Sequence, residues 1–240
     1  MTKGLRRFII WLFWYYLPVL RSEVVTVISE KTRAELFSAV PQAKNKTVYI
    51  PDPVLPGFDY FPPQLSTTRP RFLHIGKTQN KNTERHIRAL AGRSAELVLV
   101  GKPADGLLDL ASELGVNISV RHGLSRDQLI TEYRRSFALL YCSTYEGFGM
   151  PIIEAQSVGR PIITSDRSPM REVAGPGGAL FVNPESVDEI GHAIDQVIAS
   201  KSLRNQLVKA GRRNAISYSL AHVAELYFEV YSELAGEKTC

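Results

Sequence analysis

The fold is decided by residues 138–164, which read ALLYCSTYEGFGMPIIEAQSVGRPIIT. This stretch begins and ends with short apolar runs, residues 138–141 and 162–164, which predict two β-strands. Pro151 suits the first turn of a helix over residues 151–158, because the N–H that proline lacks would have no intrahelical partner there. A strand, a helix and a second strand in this order predict a β-α-β unit with parallel strands.

The same alternation of apolar strands and amphipathic helices continues through residues 71–217. Because apolar strands joined through helices form a parallel sheet that is covered on both faces, we predict an α/β fold with a Rossmann-like doubly wound sheet. Two further helices near residues 202–216 and 219–235 close the chain. The predicted strands of the sheet are residues 72–75, 97–100, 118–120, 138–141, 162–164 and 179–182, and its helices lie near residues 81–91, 105–114, 126–135, 151–158, 169–173 and 186–199.

Residues 51–70 divide the chain. They hold six prolines and no periodic apolar pattern, which predicts a stiff linker between domains. Before them, β-branched runs at residues 24–28 and 47–50 predict two short strands, and Ser29 is the expected N-cap of the helix between these strands. We therefore predict a small N-terminal region, residues 1–50, a linker, and a main domain after it.

The first residues combine positive charge with a large apolar run. Lys3, Arg6 and Arg7 precede an uncharged run over residues 8–20, which is too short to span a bilayer unaided because about 20 apolar residues are needed. Two interpretations are open: a buried helix end, or an interfacial membrane anchor rich in Trp and Tyr. Pro18 is expected to end or kink this helix.

Composition and charge limit the classes of function. The 240 residues are 44% hydrophobic and 22% charged, which is typical of a soluble globular protein, and the formal net charge of +5 suits a phosphate-bearing ligand or an acidic membrane surface. No basic run interleaved with aromatic residues indicates nucleic-acid binding. The two cysteines, Cys142 and Cys240, and the five histidines have neither disulfide nor metal-ligand spacing. We therefore expect a cytoplasmic protein without a metal site.

Two glutamates flank the turn between the strand and the helix of the quoted stretch. Glu146 precedes Gly147-Phe148-Gly149, and Glu154 follows it in the first turns of the helix. The glycines permit close backbone approach, so that amide N–H groups at the helix start can face an anion or a sugar hydroxyl. The two carboxylates are either solvated or grip one polyhydroxylated ligand, and their position after a strand of a parallel sheet favours the ligand.

Loops after other predicted strands carry candidate binding residues too. After the first strand of the main domain, Gly76 allows a phosphate to approach the backbone, and Lys77 and Lys81 supply positive charge, although lysines commonly only face solvent. After the third strand, the backbone around Gly123 is a candidate contact for a nucleobase edge.

The E-x7-E spacing of the two glutamates in EGFGMPIIE now points to a family. Together with GRPIITS at residues 159–165, PMREVAG at 169–175 and FLHIGK at 72–77, it makes the chain resemble the retaining, nucleotide-sugar-dependent glycosyltransferases of family 4. The resemblance covers nearly all of residues 22–235. It implies one half of the GT-B fold, in which two Rossmann-like domains face each other.

By this resemblance, the ligand is a nucleoside diphosphate sugar, bound without a metal or another cofactor. Glu154 is expected to accept hydrogen bonds from the ribose hydroxyls and Glu146 to contact the donor sugar, while the lysines neutralise the leaving diphosphate. The family usually carries arginine where this chain has Lys77, and a longer gap before the second basic residue. The implied catalytic residues are Glu146, Lys81 and Lys77, and the implied donor-binding residues are Gly76, Gly123, Gly147, Phe148, Gly149, Met150 and Glu154.

The implied reaction is sugar transfer with retention at the anomeric carbon, by a front-face route in which the departing phosphate receives the proton of the acceptor. A glycosidase would instead use the two carboxylates as acid and nucleophile. The implied acceptor is a saccharide or a lipid-linked saccharide, used in polysaccharide assembly at the cytoplasmic face of the inner membrane, with peripheral membrane contact.

A departure from the family concerns the facing domain. Residues 1–50 resemble only the end of an N-terminal acceptor domain, and residues 218–240 resemble the C-terminal crossover helix. A facing half normally takes on the order of 100–150 residues. We therefore expect either half of a transferase that needs a partner chain, or a non-catalytic nucleotide-sugar-binding module.

Overall fold

A computed structural model describes residues 3–62 and 68–236 of the chain. The chain forms two compact units: one combines Met1–Asp52 with Val223–Cys240, and the other is Pro53–His222. Pro63, one of the six prolines of the predicted linker, and Cys240 lie outside the described residues.

The first unit contains a two-stranded parallel sheet and short helices. Its elements before residue 50 are α1 (Lys3–Trp11), a π-helical segment (Leu12–Tyr16), α2 (Leu17–Arg21), β1 (Val25–Val27), α3 (Glu30–Ala39), a 3-10 segment (Pro41–Lys46) and β2 (Thr47–Tyr49). β1 pairs with β2, so both short strands predicted here are confirmed. Ser29 caps α3 as predicted: Thr32 N–H donates to Ser29 Oγ at 3.0 Å, and Ser29 N–H donates to Thr32 Oγ1 at 3.1 Å.

Pro18 does not end the N-terminal helix, so the first of the two predicted effects, a helix end rather than a kink, is wrong. Leu17 N–H donates to the carbonyl of Leu12, five residues earlier, and the chain stays helical to Arg21. A proline lacks an N–H, and its ring crowds the carbonyl four residues before it. The wider π-helical turn ahead of Pro18 therefore lets the helix continue past the ring.

The apolar run over residues 8–20 is largely exposed in the described chain. Phe8, Phe13 and Trp14 are 54%, 60% and 77% exposed, and Val19 is the buried member of the run. The interpretation as a buried helix end is therefore wrong for most of this run. Within residues 3–62 and 68–236, every helix is too short or too polar to cross a membrane.

The second unit is built on a six-stranded parallel sheet. Its strands are β3 (Arg71–Ile75), β4 (Glu96–Val100), β5 (Asn117–Arg121), β6 (Ala138–Tyr141), β7 (Ile162–Ser165) and β8 (Leu180–Val182). They lie in the order β5-β4-β3-β6-β7-β8, and every neighbouring pair is parallel. Each predicted strand is present to within one residue at either end, and the predicted doubly wound α/β fold is confirmed.

Helices cover this sheet on both faces, because right-handed crossovers that run in opposite directions from the centre place their helices on opposite sides. α4 packs against α5 and α9, whereas α7 packs against α6, α8 and α10. The bounds of the helices are α4 (Thr83–Leu90), α5 (Leu107–Glu113), α6 (Arg126–Arg135), α7 (Met150–Val158), α8 (Met170–Ala174), α9 (Val187–Ala199), α10 (Lys201–Ala215) and α11 (Leu220–Leu234), the last of which contains the boundary between the units.

Part of the predicted linker packs onto the second unit. Phe58 is buried and meets the ring of Tyr133 edge-to-face at 5.5 Å. Arg160 is 1% exposed and donates to the carbonyl oxygens of Phe61 at 3.0 Å, of Tyr133 at 3.0 Å and of Arg134 at 2.7 Å. A cation at the last carbonyls of a helix is favourable. Arg160 thus fixes the linker segment to the end of α6, which composition alone did not indicate.

Two buried histidines lie beneath the loops at the carboxyl edge of the sheet. His74 Nδ1 donates to the carbonyl of Leu140 at 3.2 Å, which leaves its Nε2 to accept from Thr83 Oγ1 at 2.9 Å. His86 Nε2 accepts from Cys142 N–H at 3.2 Å, and the two rings meet edge-to-face at 4.7 Å. These contacts fit neutral imidazoles. Burial lowers the pKa of His74 to about 4 and, helped by the charge of His74, lowers that of His86 well below its usual value.

We expect the unfolding free energy to fall as the pH drops below about 6.5, the pKa of an unfolded histidine. Below this pH the histidine of the unfolded chain binds a proton, whereas folded His74 stays neutral until the pH nears 4. By pH 5, this residue alone therefore lowers the unfolding free energy by about 2 kcal/mol. Urea denaturation at pH 7.5 and pH 5 measures the loss. His74→Asn should show a smaller loss between the two pH values, and an equal loss in both proteins would contradict this explanation.

Candidate functional site

The candidate site lies where the sheet reverses its strand order. β3 and β6 are neighbours, and the chain adds strands outward from β3 on one side and from β6 on the other. The loops after these two strands therefore diverge and open a crevice at the carboxyl edge of the sheet. The predicted residues from Gly76 to Lys81 and from Glu146 to Glu154 follow these two strands.

Hydrogen bonds from two asparagines join the two loops. Thr144 N–H donates to the carbonyl of Asn80 at 2.8 Å, and Asn80 Nδ2 donates to the carbonyl of Tyr145 at 2.8 Å. Asn82 has a left-handed backbone with φ 64°, which asparagine tolerates, and its Nδ2 donates to the carbonyl of Cys142 at 2.9 Å. The loops are thus held together by groups that are already paired, before any ligand binds.

The central cluster consists of one cation, one carboxylate and one phenol. Lys81 Nζ lies 2.7 Å from Glu146 Oε1 and 2.6 Å from the hydroxyl of Tyr141, and that hydroxyl lies 2.8 Å from the same Glu146 oxygen. The side chains of Lys81 and Glu146 are 19% and 11% exposed, so the ion pair is shielded from water on most sides. Burial, and next the charge of Glu146, raise the pKa of Tyr141, so the phenol keeps its proton and donates to the carboxylate.

Gly76 makes room for this cluster. Its backbone has φ 133°, a conformation that favours glycine, and a Cβ placed there would lie 2.4 Å from Lys81 Cγ. The stem of Lys81 therefore runs directly over the backbone of Gly76. The sequence predicted a glycine that lets a phosphate approach, and in the described structure the glycine accommodates the lysine.

Glu154 occupies a second, more apolar position in the second turn of α7. Its Oε2 accepts from the hydroxyl of Tyr133 at 2.5 Å. Burial raises the pKa of the Glu154 carboxyl, against the opposing effects of the Tyr133 hydrogen bond and the positive charge of Arg126. Burial and the charge of Glu154 in turn raise the pKa of Tyr133 well above its usual value. The two glutamates thus have different surroundings, one beside a cation and one beside a phenol.

The turn between the glutamates has the predicted form. Gly149 precedes α7 with φ 120°, Met150 begins the helix, and Pro151 lies in its first turn. Phe148 is 4% exposed, and its ring meets Tyr218 edge-to-face at 5.8 Å. The ring of Phe148 is therefore packed inside the chain rather than turned toward a ligand at this loop. Gly147 stands on the same loop, partly exposed.

Lys77 does not join the Lys81–Glu146 cluster. It is exposed and lines a neighbouring cavity of about 420 Å³, between the loops after β3 and β4. Arg85 and Lys102 line the same cavity, together with Glu84 and Asp105. Lys77 therefore adds positive charge beside the switch point, in a different recess from Lys81.

Gly123 also lies apart from the cluster. It is exposed, with φ 65°, in the loop after β5, the edge strand that is separated from β6 by β4 and β3. Since neighbouring strands are about 4.8 Å apart, three steps of the sheet put β5 on the order of 15 Å from β6. The structure thus groups Gly76, Lys81 and Glu146, keeps Glu154 behind the turn, and leaves Gly123 at the edge of the sheet.

Sequence reasoning missed both tyrosines that hold the glutamates. Tyr141 ends a strand whose other residues, Ala138 to Leu140, are aliphatic, and Tyr133 lies near the end of helix α6. A phenol at the carboxyl end of an otherwise aliphatic strand was the available signal for Tyr141. No cluster of three or more His, Cys, Asp or Glu side chains within residues 3–62 and 68–236 is arranged to hold a metal ion.

Comparison with protein families gives a match over most of the second unit. The sequence model of "Glycosyl transferases group 1" matches residues 59–214, which is more than half of the chain. The chain belongs to the glycosyl transferases group 1 family. The match includes both glutamates of the E-x7-E stretch, both lysines of the loop after β3, and the two tyrosines that contact the glutamates.

Two relatives of the chain are named as mannosyltransferases. The chain is 33% identical over 148 residues to the MMP alpha-(1->4)-mannosyltransferase of Mycolicibacterium hassiacum, which covers 59% of this chain and 36% of the relative. It is 38% identical over 85 residues to the O-antigen chain mannosyltransferase RfbU of Salmonella typhimurium, which covers 35% of this chain and 24% of the relative. The chain thus spans about a third or less of the length of these group 1 relatives.

Solved structures share the fold of this group 1 chain. Sucrose-phosphate synthase from Thermosynechococcus elongatus superposes with a TM-score of 0.79 at 22% identity, over 90% of this chain and 59% of that one. Anabaena Alr3699/HepE, solved in complex with UDP and glucose, superposes with a TM-score of 0.77 at 16% identity, over 88% of this chain and 64% of that one. The second unit therefore has the fold of one GT-B half.

We expect Glu154→Gln to raise the unfolding free energy at pH 7 by about 1 kcal/mol, because burial penalises the ionised carboxylate and relieving such a penalty stabilises a protein. A raised carboxyl pKa means that the ionised form is penalised in the folded chain above that pKa, and glutamine removes the charge while still accepting from Tyr133. Urea denaturation measures the change. The control is Glu229→Gln on the exposed face of α11, which should leave stability unaltered, and a loss of stability in Glu154→Gln would contradict the expectation.

Proposed function

We propose that this chain supplies the donor-binding half of a retaining glycosyltransferase of family 4, which transfers a sugar from a nucleoside diphosphate sugar to an acceptor. The observation that carries the proposal is the pairing of Lys81 with Glu146 at the switch point of the sheet, next to the start of α7. In this pair, the cation can bind a diphosphate and the carboxylate can bind sugar hydroxyls, and the two groups lie 2.7 Å apart.

Each predicted residue has a role in this proposal. Lys81 neutralises the charge that develops on the leaving diphosphate, and Lys77 adds positive potential beside it. Glu146 accepts hydrogen bonds from the donor sugar, and Glu154 accepts them from the ribose. The backbone from Gly147 to Met150, which leads into the N-terminus of α7, contacts the sugar and the phosphate, because a helix N-terminus favours an anion. These cations take the place of a metal ion.

The proposed chemistry follows a front-face route. The bond between the anomeric carbon and the diphosphate oxygen breaks, the acceptor oxygen bonds to that carbon on the same face, and the acceptor proton passes to the departing phosphate. Glu146 is engaged by Lys81 and Tyr141, and Glu154 by Tyr133, which supports roles in binding rather than as a covalent nucleophile. Retention itself is supported by the E-x7-E spacing of the family.

Mannose is the sugar to test first, since two relatives are named as mannosyltransferases, and a saccharide or lipid-linked saccharide is the proposed acceptor, since one of them is named for the O-antigen chain. UDP is one nucleotide to test, because a structural neighbour was solved with it. A partner chain that supplies the facing domain and a peripheral contact of the exposed run over residues 8–20 with a membrane complete the proposal.

We expect titration calorimetry to detect binding of at least one of the UDP, GDP and ADP sugars, with the same affinity in EDTA and in Mg²⁺. Lys81→Ala should weaken this binding by about tenfold or more, because a charge-assisted contact contributes roughly 1.5–3 kcal/mol and each 1.4 kcal/mol is about tenfold. The matched control is Lys209→Ala, an exposed lysine on α10. No binding to any donor would contradict the donor-site proposal, and an unchanged affinity in Lys81→Ala would remove that residue from the site.

A second candidate is a nucleotide-sugar-binding module without catalysis of its own. The observation that favours it is that the contacts of the site, the Lys81–Glu146 pair and the Glu154–Tyr133 pair, suit a donor and form without any acceptor group. Both candidates predict donor binding. Only the transferase predicts sugar transfer when an acceptor and a chain carrying the facing domain are added, which nuclear magnetic resonance can follow through the anomeric proton of the product.

A further inference from the structure

The hydroxyl of Tyr141 contacts both charged groups of the central cluster. It accepts from Lys81 Nζ at 2.6 Å and donates to Glu146 Oε1 at 2.8 Å, while Lys81 and Glu146 lie 2.7 Å apart. The three polar groups therefore form a closed triangle. Lys81 Nζ also lies 4.9 Å from the centre of the Tyr141 ring, so the phenol supports the ammonium through its ring and its hydroxyl.

The position of Tyr141 is fixed by the sheet. It is the last residue of β6, pairs with Thr164 of β7, and is 1% exposed. Thr164 Oγ1 donates to the carbonyl of Tyr141 at 2.8 Å, which anchors its backbone. Lys81, in contrast, ends a short 3-10 turn (Gln79–Lys81) in the segment after β3, and Glu146 stands on the loop after β6. The hydroxyl of Tyr141 is thus a fixed point against which two loop side chains are set.

This arrangement matters because Glu146 competes with a diphosphate for Lys81. In the cluster, the Lys81 ammonium is already paired with the Glu146 carboxylate, so an incoming phosphate has to separate this ion pair. A group that accepts from Lys81 and donates to Glu146 lowers the penalty of separating them, because each ion keeps a partner while the pair opens. A protonated phenol does both, and a phenyl ring does neither.

We propose that Tyr141 is a positioning residue. Its hydroxyl holds Lys81 within reach of the diphosphate, and it keeps a hydrogen bond to Glu146 when Lys81 moves from Glu146 to the diphosphate. The inference rests on the proposed function, since it assumes that Lys81 binds the diphosphate. Without the hydroxyl, Lys81 and Glu146 pair with each other alone, and the diphosphate competes against the whole ion pair.

The test is a double-mutant cycle on binding of the free nucleoside diphosphates UDP, GDP and ADP, measured by titration calorimetry. Tyr141→Phe should weaken binding of whichever nucleotide the wild-type chain binds by about three- to tenfold. This is less than the contribution of a direct hydrogen bond to a charged group, about tenfold or more, because the hydroxyl acts on the nucleotide only through Lys81. In the Lys81→Ala background, the same change should alter affinity by less than about twofold, because no cation is left to position. Tyr60→Phe removes an exposed phenol hydroxyl from the linker segment and serves as the matched control.

The possible outcomes separate this inference from the proposed function. If the wild-type chain binds none of the three nucleotides, both fail. If it binds one and Tyr141→Phe binds equally well, or loses as much affinity with Lys81 present as with Lys81 removed, only the role of Tyr141 is overturned. Thermal unfolding of each variant establishes that it is folded.

A second variant tests the same competition without touching the phenol. Glu146→Gln removes the charge that holds Lys81, and free nucleoside diphosphates carry no sugar for Glu146 to contact. This variant should therefore bind them about three- to tenfold more tightly than the wild-type chain. Equal or weaker binding would overturn the proposed competition, even if Tyr141→Phe failed to fold.

Discussion

In a parallel sheet, each strand has to be joined to the next by a crossover, and the direction in which successive crossovers run decides where loops diverge. In this chain the direction changes once, between β3 and β6. That change places the loop with Lys81 beside the loop with Glu146, although 65 residues separate them in the sequence. The candidate site is a consequence of this reversal, and the family match over residues 59–214 spans all of it.

The reversal also sets the electrostatics. Lys81 and Glu146 meet in a recess that is mostly closed to water, where an ion pair is stronger than at the surface but its desolvation is also more costly. Additional hydrogen bonds compensate for that desolvation, and the hydroxyl of Tyr141 supplies one to each ion. Among residues 3–62 and 68–236, Glu154 has no such cation at contact distance, and its phenol partner does not fully offset burial. The two carboxylates therefore differ in charge environment although they belong to one motif.

Beneath these loops, buried polar groups are hydrogen-bonded to neighbouring segments and fix the conformation of the site. Burial keeps His74 and His86 neutral; His74 is hydrogen-bonded through both ring nitrogens and His86 through its Nε2, and Asn82 uses its amide to hold two loops. Each of these groups is costly when unpaired, so the loops are held in one arrangement by partners that come from different strands and helices. Arg160 has the same role at the opposite edge of the sheet, where it fixes the linker segment to α6.

The sequence by itself determined the strands, the helices, the doubly wound fold and the two loops that carry the glutamates and lysines, because apolar periodicity, Pro151 and the glycines act locally. It did not determine that Pro18 is accommodated by a π-helical turn, that residues 8–20 are mostly exposed, or that Lys77 and Gly123 lie away from Lys81. Only the tertiary structure decided which side chains meet: Tyr141 reaches Lys81 and Glu146, and Tyr133 reaches Glu154. Contacts between distant segments depend on strand order and side-chain direction, and neither leaves a periodic signal in the chain.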